Sequence, residues 1–288
     1  MTALEAIIVA IVEGLTEFLP VSSTGHMIVA ASLLGIEKGE YTKMFEVSIQ
    51  FGAILAVVLV YWKKFLKFDE WEFYAKLLVG VIPALVLGFL FNDFIEGLLE
   101  NEVVVACTLL AGGVVLLYID KWFKHAHSHP PDLLATEVTR AELIEADNKL
   151  SYKKSLLIGF WQVLAMVPGV SRSAASIIGG MQQGLSRNFA AEFSFFLAVP
   201  TMAAVCGYSL VLKDWGTGAA ARKGYELIFQ NRETLQVFLL GNVVAFVVAL
   251  LAIKFFIAYL KKYGFRVFGW YRIAVGALLL LLIFLGYL

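Results

Sequence analysis

The chain has 288 residues, of which 60% are hydrophobic and only 16% are charged, and its formal net charge at pH 7 is zero. A soluble domain carries about 25% charged residues, so this composition excludes an ordinary soluble domain. The balanced charge argues against a nucleic-acid partner, which needs a basic surface. Cys107 and Cys206 lie in apolar runs and are interpreted as buried small hydrophobic residues, not as a disulfide or a metal pair.

The first predicted element is Leu4–Leu34, an apolar segment that is interrupted at Phe18–His26 by the stretch FLPVSSTGH. Pro20 and Gly25 permit a turn there. We therefore expect a re-entrant hairpin, in which two half-helices enter the membrane and turn back on the same side. The second half-helix would begin near mid-membrane, where its free N–H groups favour an anion.

Hydroxyl side chains stand at the start of that second half-helix. They are Ser22, Ser23 and Thr24. Such groups often only satisfy backbone groups that a kink has freed. That alternative does not explain why His26 follows them, so the set as a whole is interpreted as a ligand site.

Three apolar spans follow, each near the roughly 20 residues that cross a bilayer. They are predicted at Met44–Trp62, Lys76–Phe91 and Val103–Ile119. Lys63 and Lys64 end the first span, and Lys121 follows the third. Because basic residues mark the cytoplasmic side, both of these ends are assigned to the cytoplasm.

A polar loop comes next, and its histidines alternate at His125, His127 and His129. They could bind a metal, but a solvated loop is the better interpretation. The stretch Thr136–Asn148 has mixed charge and is predicted to form a short amphipathic surface helix.

The second half of the chain repeats this order. Ser155–Leu185 contains MVPGVSRSA, which also sets a proline before a serine-rich turn. The span after each hairpin carries a glutamate with a serine two residues later, as Glu46 with Ser48 and Glu192 with Ser194. Further spans are predicted at Val237–Leu260 and Ile273–Leu288.

The predicted fold is an all-α polytopic membrane protein with six full spans and two re-entrant hairpins. Each half has one hairpin and three spans, and since three is odd, the second half is inserted upside down. Such inverted-topology repeats tend to build their site at the midplane. The first repeat covers residues 1–121, a cytoplasmic loop covers 122–153, and the second repeat covers 154–288. Both termini are expected outside.

Two carboxylates precede the first turn. Glu13 and Glu17 are four residues apart, so they share one helix face. They would repel each other unless a divalent ion or an arginine lay between them. Arg172, in the second hairpin, would face residues 22–26 if the two hairpin tips met. A structural ion pair between Arg172 and Glu17 is the alternative, and it does not exclude a ligand.

Other polar residues inside the apolar segments are harder to assign. Glu46 and Glu192 are expected to brace or orient the hairpins rather than line the site. Gln50 could pair with Glu46 or contact a lipid. Lys254 and Arg272 lie close to the predicted span ends, so we expect both to reach the membrane interface.

The chemistry of these groups points to phosphate. Helix N-termini and arginine bind phosphate, and paired carboxylates hold Mg²⁺ or Ca²⁺ through oxygen. Serine or histidine can accept a phosphoryl group. Together these are the requirements of phosphoryl transfer. A phosphorylated substrate within reach of the bilayer is a lipid phosphate.

Two motifs carry a family resemblance. EGLTEFLPVSSTGH at Glu13–His26 and PGVSRSAAS at Pro168–Ser176 resemble the two signatures of undecaprenyl pyrophosphate phosphatases of the bacitracin-resistance type. Ser176 replaces the threonine of the family pattern and keeps the hydroxyl. The resemblance implies removal of the terminal phosphate from undecaprenyl pyrophosphate, which regenerates the carrier used in peptidoglycan synthesis. It also implies a bacterial plasma membrane, an outward-facing site, a divalent cation (Mg²⁺ or Ca²⁺), and competition by bacitracin, which sequesters the substrate. The oligomeric state stays open, with a homodimer as one arrangement.

The resemblance also implies roles for single residues. Arg172 would bind the pyrophosphate, while Glu13 and Glu17 would handle metal or proton. Ser23 and His26 would be the chemical pair, with Ser23 favoured as the nucleophile, His26 assisting, and attack by His26 left open. The hydroxyls expected to contact phosphate are those of Ser22, Thr24, Ser171, Ser173 and Ser176.

A transporter or flippase for a lipid phosphate is the main rival, since inverted repeats with broken helices are typical of secondary transporters. The discriminating feature is His26 beside Ser23, because a carrier needs no nucleophile. A protein that binds the pyrophosphate without cleaving it is a third alternative. Another lipid-phosphatase superfamily shares the letters STGH and SR, but it requires a histidine after Arg172, where Ile178 and its neighbours stand.

Overall fold

The computed structural model describes residues 1–37, 39–66, 71–99, 101–123 and 150–287, and these are mostly helical. The helices of the first half are α1 (Ala3–Thr16), α2 (Ser23–Leu33), α3 (Glu40–Ser48), α4 (Gln50–Val60), α5 (Trp62–Phe65), α6 (Trp71–Leu90), α7 (Asn92–Leu99) and α8 (Glu102–Trp122). Those of the second half are α9 (Tyr152–Val163), α10 (Arg172–Gln182), α11 (Arg187–Gly207), α12 (Gly224–Ile228), α13 (Arg232–Tyr263) and α14 (Arg266–Phe284). The loop histidines at 125, 127 and 129 and the predicted surface helix at 136–148 lie outside the described residues.

Six helical stretches of the described chain are long and apolar enough to cross a membrane. They are Glu40–Val60, Trp71–Leu90, Glu102–Trp122, Arg187–Leu212, Arg232–Leu260 and Arg266–Phe284. The prediction of six spans is confirmed, and the protein is a multi-pass membrane protein. The fourth span ends in a π-helical turn at Tyr208–Leu212, and a two-stranded hairpin follows, in which β1 (Asp214–Trp215) pairs antiparallel with β2 (Arg222–Lys223).

Each segment predicted as a hairpin contains two packed helices, α1 with α2 and α9 with α10. A serine caps the second helix of each pair: the Ser22 hydroxyl accepts from the N–H of Gly25, and the Ser171 hydroxyl accepts from the N–H of Ala174. Among the described residues, these two serines are the only non-glycine residues with positive φ, at 73° and 75°. The two turns therefore share one backbone conformation.

The helices of the two halves pack crosswise. Helix α1 lies along α13, α9 lies along α6, and α8 lies along α14. The approach of α9 to α6 is close, since a Cβ on Gly159 would clash with the carbonyl of Gly80. Small residues that let helices approach in this way are typical of membrane interfaces. This packing brings the two serine-capped turns together.

Two expectations are wrong. Cys107 is exposed on α8 rather than buried, because only about a third of that span is covered by the rest of the protein, whereas Cys206 is buried as expected. Arg272 does not reach the membrane interface: its residue is 0% exposed, and its guanidinium donates to main-chain carbonyls in the interior. The reason is that α14 begins at Arg266, seven residues before the predicted start of the span, so Arg272 lies inside the helix. Lys254 is exposed on α13, as expected for a side chain that snorkels.

Candidate active site

The site is built from two turns, which we call the first elbow (residues 17–24) and the second elbow (residues 168–173). The first joins α1 to α2, and the second leads into α10. They touch directly, because the Ser173 hydroxyl donates to the carbonyl of Leu19 at 2.8 Å. The two serine-containing turns therefore meet, as predicted.

A carboxylate joins the two elbows. Glu17 Oε1 accepts from Arg172 Nη2 at 3.0 Å, and Glu17 Oε2 accepts from the Ser23 hydroxyl at 2.7 Å. Arg172 also donates through Nη1 to the carbonyl of Ser194 at 2.8 Å and lies 5.8 Å from the ring centroid of Phe18. The ion pair between Arg172 and Glu17, which was the alternative predicted from the sequence, is present. Its effect is to hold the Ser23 hydroxyl and the guanidinium on the two oxygens of one carboxylate.

A cavity of about 680 Å³ opens at this cluster. Its polar lining comes from Glu17, Ser22, Ser23, Thr24, Gln50, Asn92, Gln162, Ser171, Arg172, Thr201 and Tyr208. Its apolar lining comes from α6, α7, the turn after α9, and α11, and includes Leu85, Phe89, Ile95, Met166, Met202 and Val205. The cavity therefore has one charged end and one apolar side, which suits an amphiphilic ligand.

Two of the predicted phosphate-contacting serines lie behind this cavity rather than along it. Ser173 is fully buried, and besides its bond to Leu19 its hydroxyl pairs with that of Ser171 at 3.0 Å. The Ser176 hydroxyl donates to the carbonyl of Arg172 and pairs with the Ser194 hydroxyl at 2.7 Å. Both side chains fix the second elbow.

The hydrogen-bond contacts of His26 are with Ser22 and Tyr271, not with Ser23. Its Nδ1 lies 2.7 Å from the carbonyl oxygen of Ser22, and its Nε2 lies 2.8 Å from the hydroxyl of Tyr271. The two rings are stacked, with centroids 5.4 Å apart and planes within 3°. His26 is not part of the cavity lining, and the Ser23 hydroxyl is bonded to Glu17 instead. The pairing of Ser23 with His26 stays a prediction.

Glu13 sits one turn before Glu17 and is 0% exposed. Neither of its carboxylate oxygens has a hydrogen-bond partner among the described residues. Burying a carboxylate without a partner is energetically costly. A bound cation or a proton on Glu13 would remove that cost. No cluster of three or more metal-binding side chains occurs in the described part of the chain. However, Mg²⁺ often needs only one or two carboxylates and completes its shell with substrate phosphates, and the oxygen donors of Glu13, Glu17 and Ser23 fit that requirement.

Glu46 and Glu192 are not part of the cavity lining, and Glu192 is buried in α11. Gln50 does line it, so its expected contact with a lipid stays open as a prediction. Four side chains were missed: Gln162 and Thr201, which share a hydrogen bond of 3.2 Å in the lining, and Tyr271 and Arg272 on α14. Gln162 and Arg272 could have been found from the sequence, because each is a polar residue within an apolar run, and such residues usually have a function.

Comparison with known proteins agrees with the two motifs. The family model of the bacitracin resistance protein BacA matches residues 6–278. An undecaprenyl-diphosphatase of Flavobacterium johnsoniae is 51% identical over 99% of this chain and 97% of its own length. Proteins of the same name from Bdellovibrio bacteriovorus and Aquifex aeolicus are 47% and 37% identical, over 100% and 96% of this chain and 98% and 96% of their own lengths. The chain belongs to the family of the bacitracin resistance protein BacA.

Proposed function

We propose that the protein is an undecaprenyl-diphosphatase, which removes the terminal phosphate of undecaprenyl pyrophosphate and returns undecaprenyl phosphate to peptidoglycan synthesis. The observation that carries the proposal is the Ser23–Glu17–Arg172 cluster at the charged end of a cavity with an apolar side. The carboxylate of Glu17, as the proton acceptor, thereby contacts both the nucleophile, Ser23, and the phosphate-binding cation, Arg172. The name of the relatives, undecaprenyl-diphosphatase, supports the same assignment.

The geometry suggests a sequence of bond changes. The Ser23 hydroxyl oxygen attacks the terminal phosphorus while its proton passes to Glu17 Oε2, at 2.7 Å. The bond from that phosphorus to the bridging oxygen breaks, and undecaprenyl phosphate leaves. Water then attacks the phosphoserine, releasing inorganic phosphate and restoring the hydroxyl. Attack by His26 is the alternative, and it would require the imidazole to leave Tyr271.

Arg172 and the helix ends hold the anion. Helices α2 and α10 both begin at the cavity, so their free N–H groups favour the diphosphate. The Nε of Arg172 is buried without an acceptor among the described residues. A phosphate oxygen would supply that acceptor, and an arginine–phosphate pair is strong.

Glu13 and Glu17 would hold the divalent cation implied by the family resemblance. When bound, Mg²⁺ or Ca²⁺ neutralises charge on the phosphate oxygens. Glu17 is shared between Arg172 and Ser23, whereas neither oxygen of Glu13 has a hydrogen-bond partner among the described residues.

The isoprenoid chain would lie on the apolar side of the cavity, against Leu85 and Phe89 of α6 and Val205 of α11. These three side chains are exposed as well as cavity-lining, which suits a chain that continues into the bilayer. Bacitracin would act upstream by sequestering the same diphosphate.

We infer that the half-helix pairs are re-entrant and that the two halves form an inverted repeat. The matching φ of Ser22 and Ser171 and the crosswise packing of α1 on α13 and α9 on α6 support this. Lys63 and Lys64 precede α6, whereas the cavity-lining residues of α7 follow its other end. By the positive-inside rule, the cavity then opens outward from the plasma membrane.

Phosphate release from farnesyl or undecaprenyl pyrophosphate in detergent with Mg²⁺ or Ca²⁺ tests the proposal. Activity should collapse in Arg172→Ala and persist in Arg222→Ala, a control at an exposed arginine of β2. Near-normal turnover in Arg172→Ala would overturn the site assignment. A well-folded wild type that releases no phosphate but moves the lipid between leaflets would favour the transporter.

A further inference from the structure

Arg272 is a buried cation that the proposed chemistry does not use. Its guanidinium makes hydrogen bonds to five main-chain carbonyls. The acceptors are Pro20 at 3.3 Å, Thr108 at 3.1 Å, Leu109 at 3.4 Å, Gly169 at 2.7 Å and Val170 at 3.0 Å. Helix α8 leaves room for it at Gly112, where a Cβ would clash with Nη2. The guanidinium thus fills a closely fitting space between α8, α14 and both elbows.

The acceptors have matching places in the two elbows. Pro20 lies two residues before Ser22, and Gly169 lies two residues before Ser171. One side chain therefore holds the main chain just ahead of both capping serines. The side chain that binds them belongs to neither elbow but to the last helix.

These serines need such support. Both have positive φ, a conformation that side chains with a Cβ disfavour. Residues in such regions persist only where the surrounding structure holds them. By fixing the carbonyls ahead of Ser22 and Ser171, Arg272 holds the turns that start α2 and α10 at the cavity.

Among the described residues, the hydrogen-bond partners of Arg272 leave its positive charge unbalanced. Within the described part of the chain, its recorded hydrogen bonds go only to carbonyl oxygens, which carry no net charge. It is absent from the cavity lining, so it acts from behind the elbows. A fixed positive charge there adds to the two helix N-termini in attracting an anion.

We propose that Arg272 is a positioning residue, which aligns both anion-binding elbows and adds a permanent positive charge behind the diphosphate. This inference rests on the proposed phosphatase function. Arg272 would contribute in two ways that can be separated. Alignment of the elbows needs the forked donors of arginine, whereas the positive charge can also be provided by lysine.

Phosphate release by purified Arg272→Lys and Arg272→Met tests the proposal, with kcat and KM measured separately on farnesyl pyrophosphate. Misplacing catalytic groups by about 1 Å can cost on the order of 100-fold. We therefore expect kcat to fall on that scale in both variants, and KM to rise clearly only in Arg272→Met. Arg187→Met is the matched control, because Arg187 is a buried arginine paired with Asp120, away from the elbows.

The control should lose thermal stability while the folded fraction keeps its kcat and KM. If Arg272→Lys behaves like Arg187→Met, or if a folded Arg272→Met keeps both constants within about twofold, positioning is refuted. If Arg272→Met does not fold, Arg272→Lys alone decides through its kcat. If the wild type proves inert, the proposed function fails, and stabilisation by inorganic pyrophosphate replaces turnover as the readout. If pyrophosphate no longer stabilises Arg272→Met, an anion site held by Arg272 is supported. If pyrophosphate still stabilises Arg272→Met, the proposal is overturned.

Discussion

The Ser23 hydroxyl donates a hydrogen bond of 2.7 Å to Glu17 Oε2. The other oxygen of that carboxylate accepts from Arg172. One side chain, Glu17, therefore positions both the nucleophile and the phosphate-binding cation. The carboxylate is nearly buried, so solvent does little to weaken these bonds. Glu17 is thus expected to be the residue on which the geometry of the site depends most directly.

Glu17→Gln tests that dependence. The amide keeps the shape but cannot accept the serine proton, and general base contributions are about 10²–10⁴-fold. We expect a loss of kcat in that range, measured by phosphate release. Glu226→Gln, at an exposed glutamate of α12, is the control and should keep wild-type turnover. A Glu17→Gln enzyme within tenfold of wild type would exclude Glu17 as the proton acceptor.

Trapping the phosphoryl-enzyme decides between Ser23 and His26. Phosphoserine survives acid, whereas phosphohistidine does not. With a terminally labelled substrate and a rapid acid quench, we expect acid-stable label in the wild type and none in Ser23→Ala. Thr24→Ala, which alters a neighbouring hydroxyl of the same lining, should still be labelled. Acid-labile label that persists in Ser23→Ala would transfer the nucleophile to His26.

Tyr271→Phe tests whether the orientation of His26 matters. The change removes the hydroxyl that lies 2.8 Å from His26 Nε2 but keeps the stacked ring. A hydrogen bond of this kind contributes about 1 kcal/mol, so if His26 assists catalysis we expect kcat to fall about fivefold. His26→Asn should then lower kcat further. Wild-type rates in both variants would show that the imidazole takes no part in turnover.

The sequence was sufficient for the elements that hydropathy and turn chemistry control. Long apolar runs located five of the six spans, and Pro20 and Pro168 before serine-rich stretches located the elbows. The pairing of Arg172 with Glu17 could be offered as an alternative, because unpaired charges inside a membrane need partners. These inferences succeed because each depends on local composition or on a strong pairwise requirement.

The orientation of single side chains did not follow from the sequence. Arg272 was expected at the interface because the apolar run begins just after it, yet five carbonyls from three segments hold it inside. Similarly, no local pattern indicated that the hydroxyl of Tyr271, 245 residues away, would lie 2.8 Å from the imidazole of His26. Both outcomes depend on packing between distant helices, which no local pattern encodes.

Val205→Trp tests the path of the isoprenoid chain. Val205 lines the apolar side of the cavity and is 41% exposed, so a larger ring should fit without unfolding α11 but should obstruct the lipid. We expect KM for undecaprenyl pyrophosphate to rise about tenfold, a change worth about 1.4 kcal/mol, with little change in kcat. Val243→Trp, at an exposed valine on α13 that does not line the cavity, is the control. Equal effects of the two substitutions would contradict this path.

Glu13→Gln tests the assignment of the divalent cation to the buried carboxylate pair. Glu13 has no hydrogen-bond partner among the described residues, so the amide removes a cation ligand without breaking a recorded bond. Binding of a cation to the folded state stabilises it by about 2.7 kcal/mol at 100 times Kd. We therefore expect Ca²⁺ or Mg²⁺ to raise the Tm of the wild type, chelation to reverse the shift, and Glu13→Gln to need about tenfold more cation for the same shift. Glu72→Gln, at an exposed carboxylate of α6 paired with Lys76, should leave the cation dependence unchanged. If Glu13→Gln and the wild type respond to the cation alike, Glu13 is not a ligand, and its buried carboxylate must instead hold a proton.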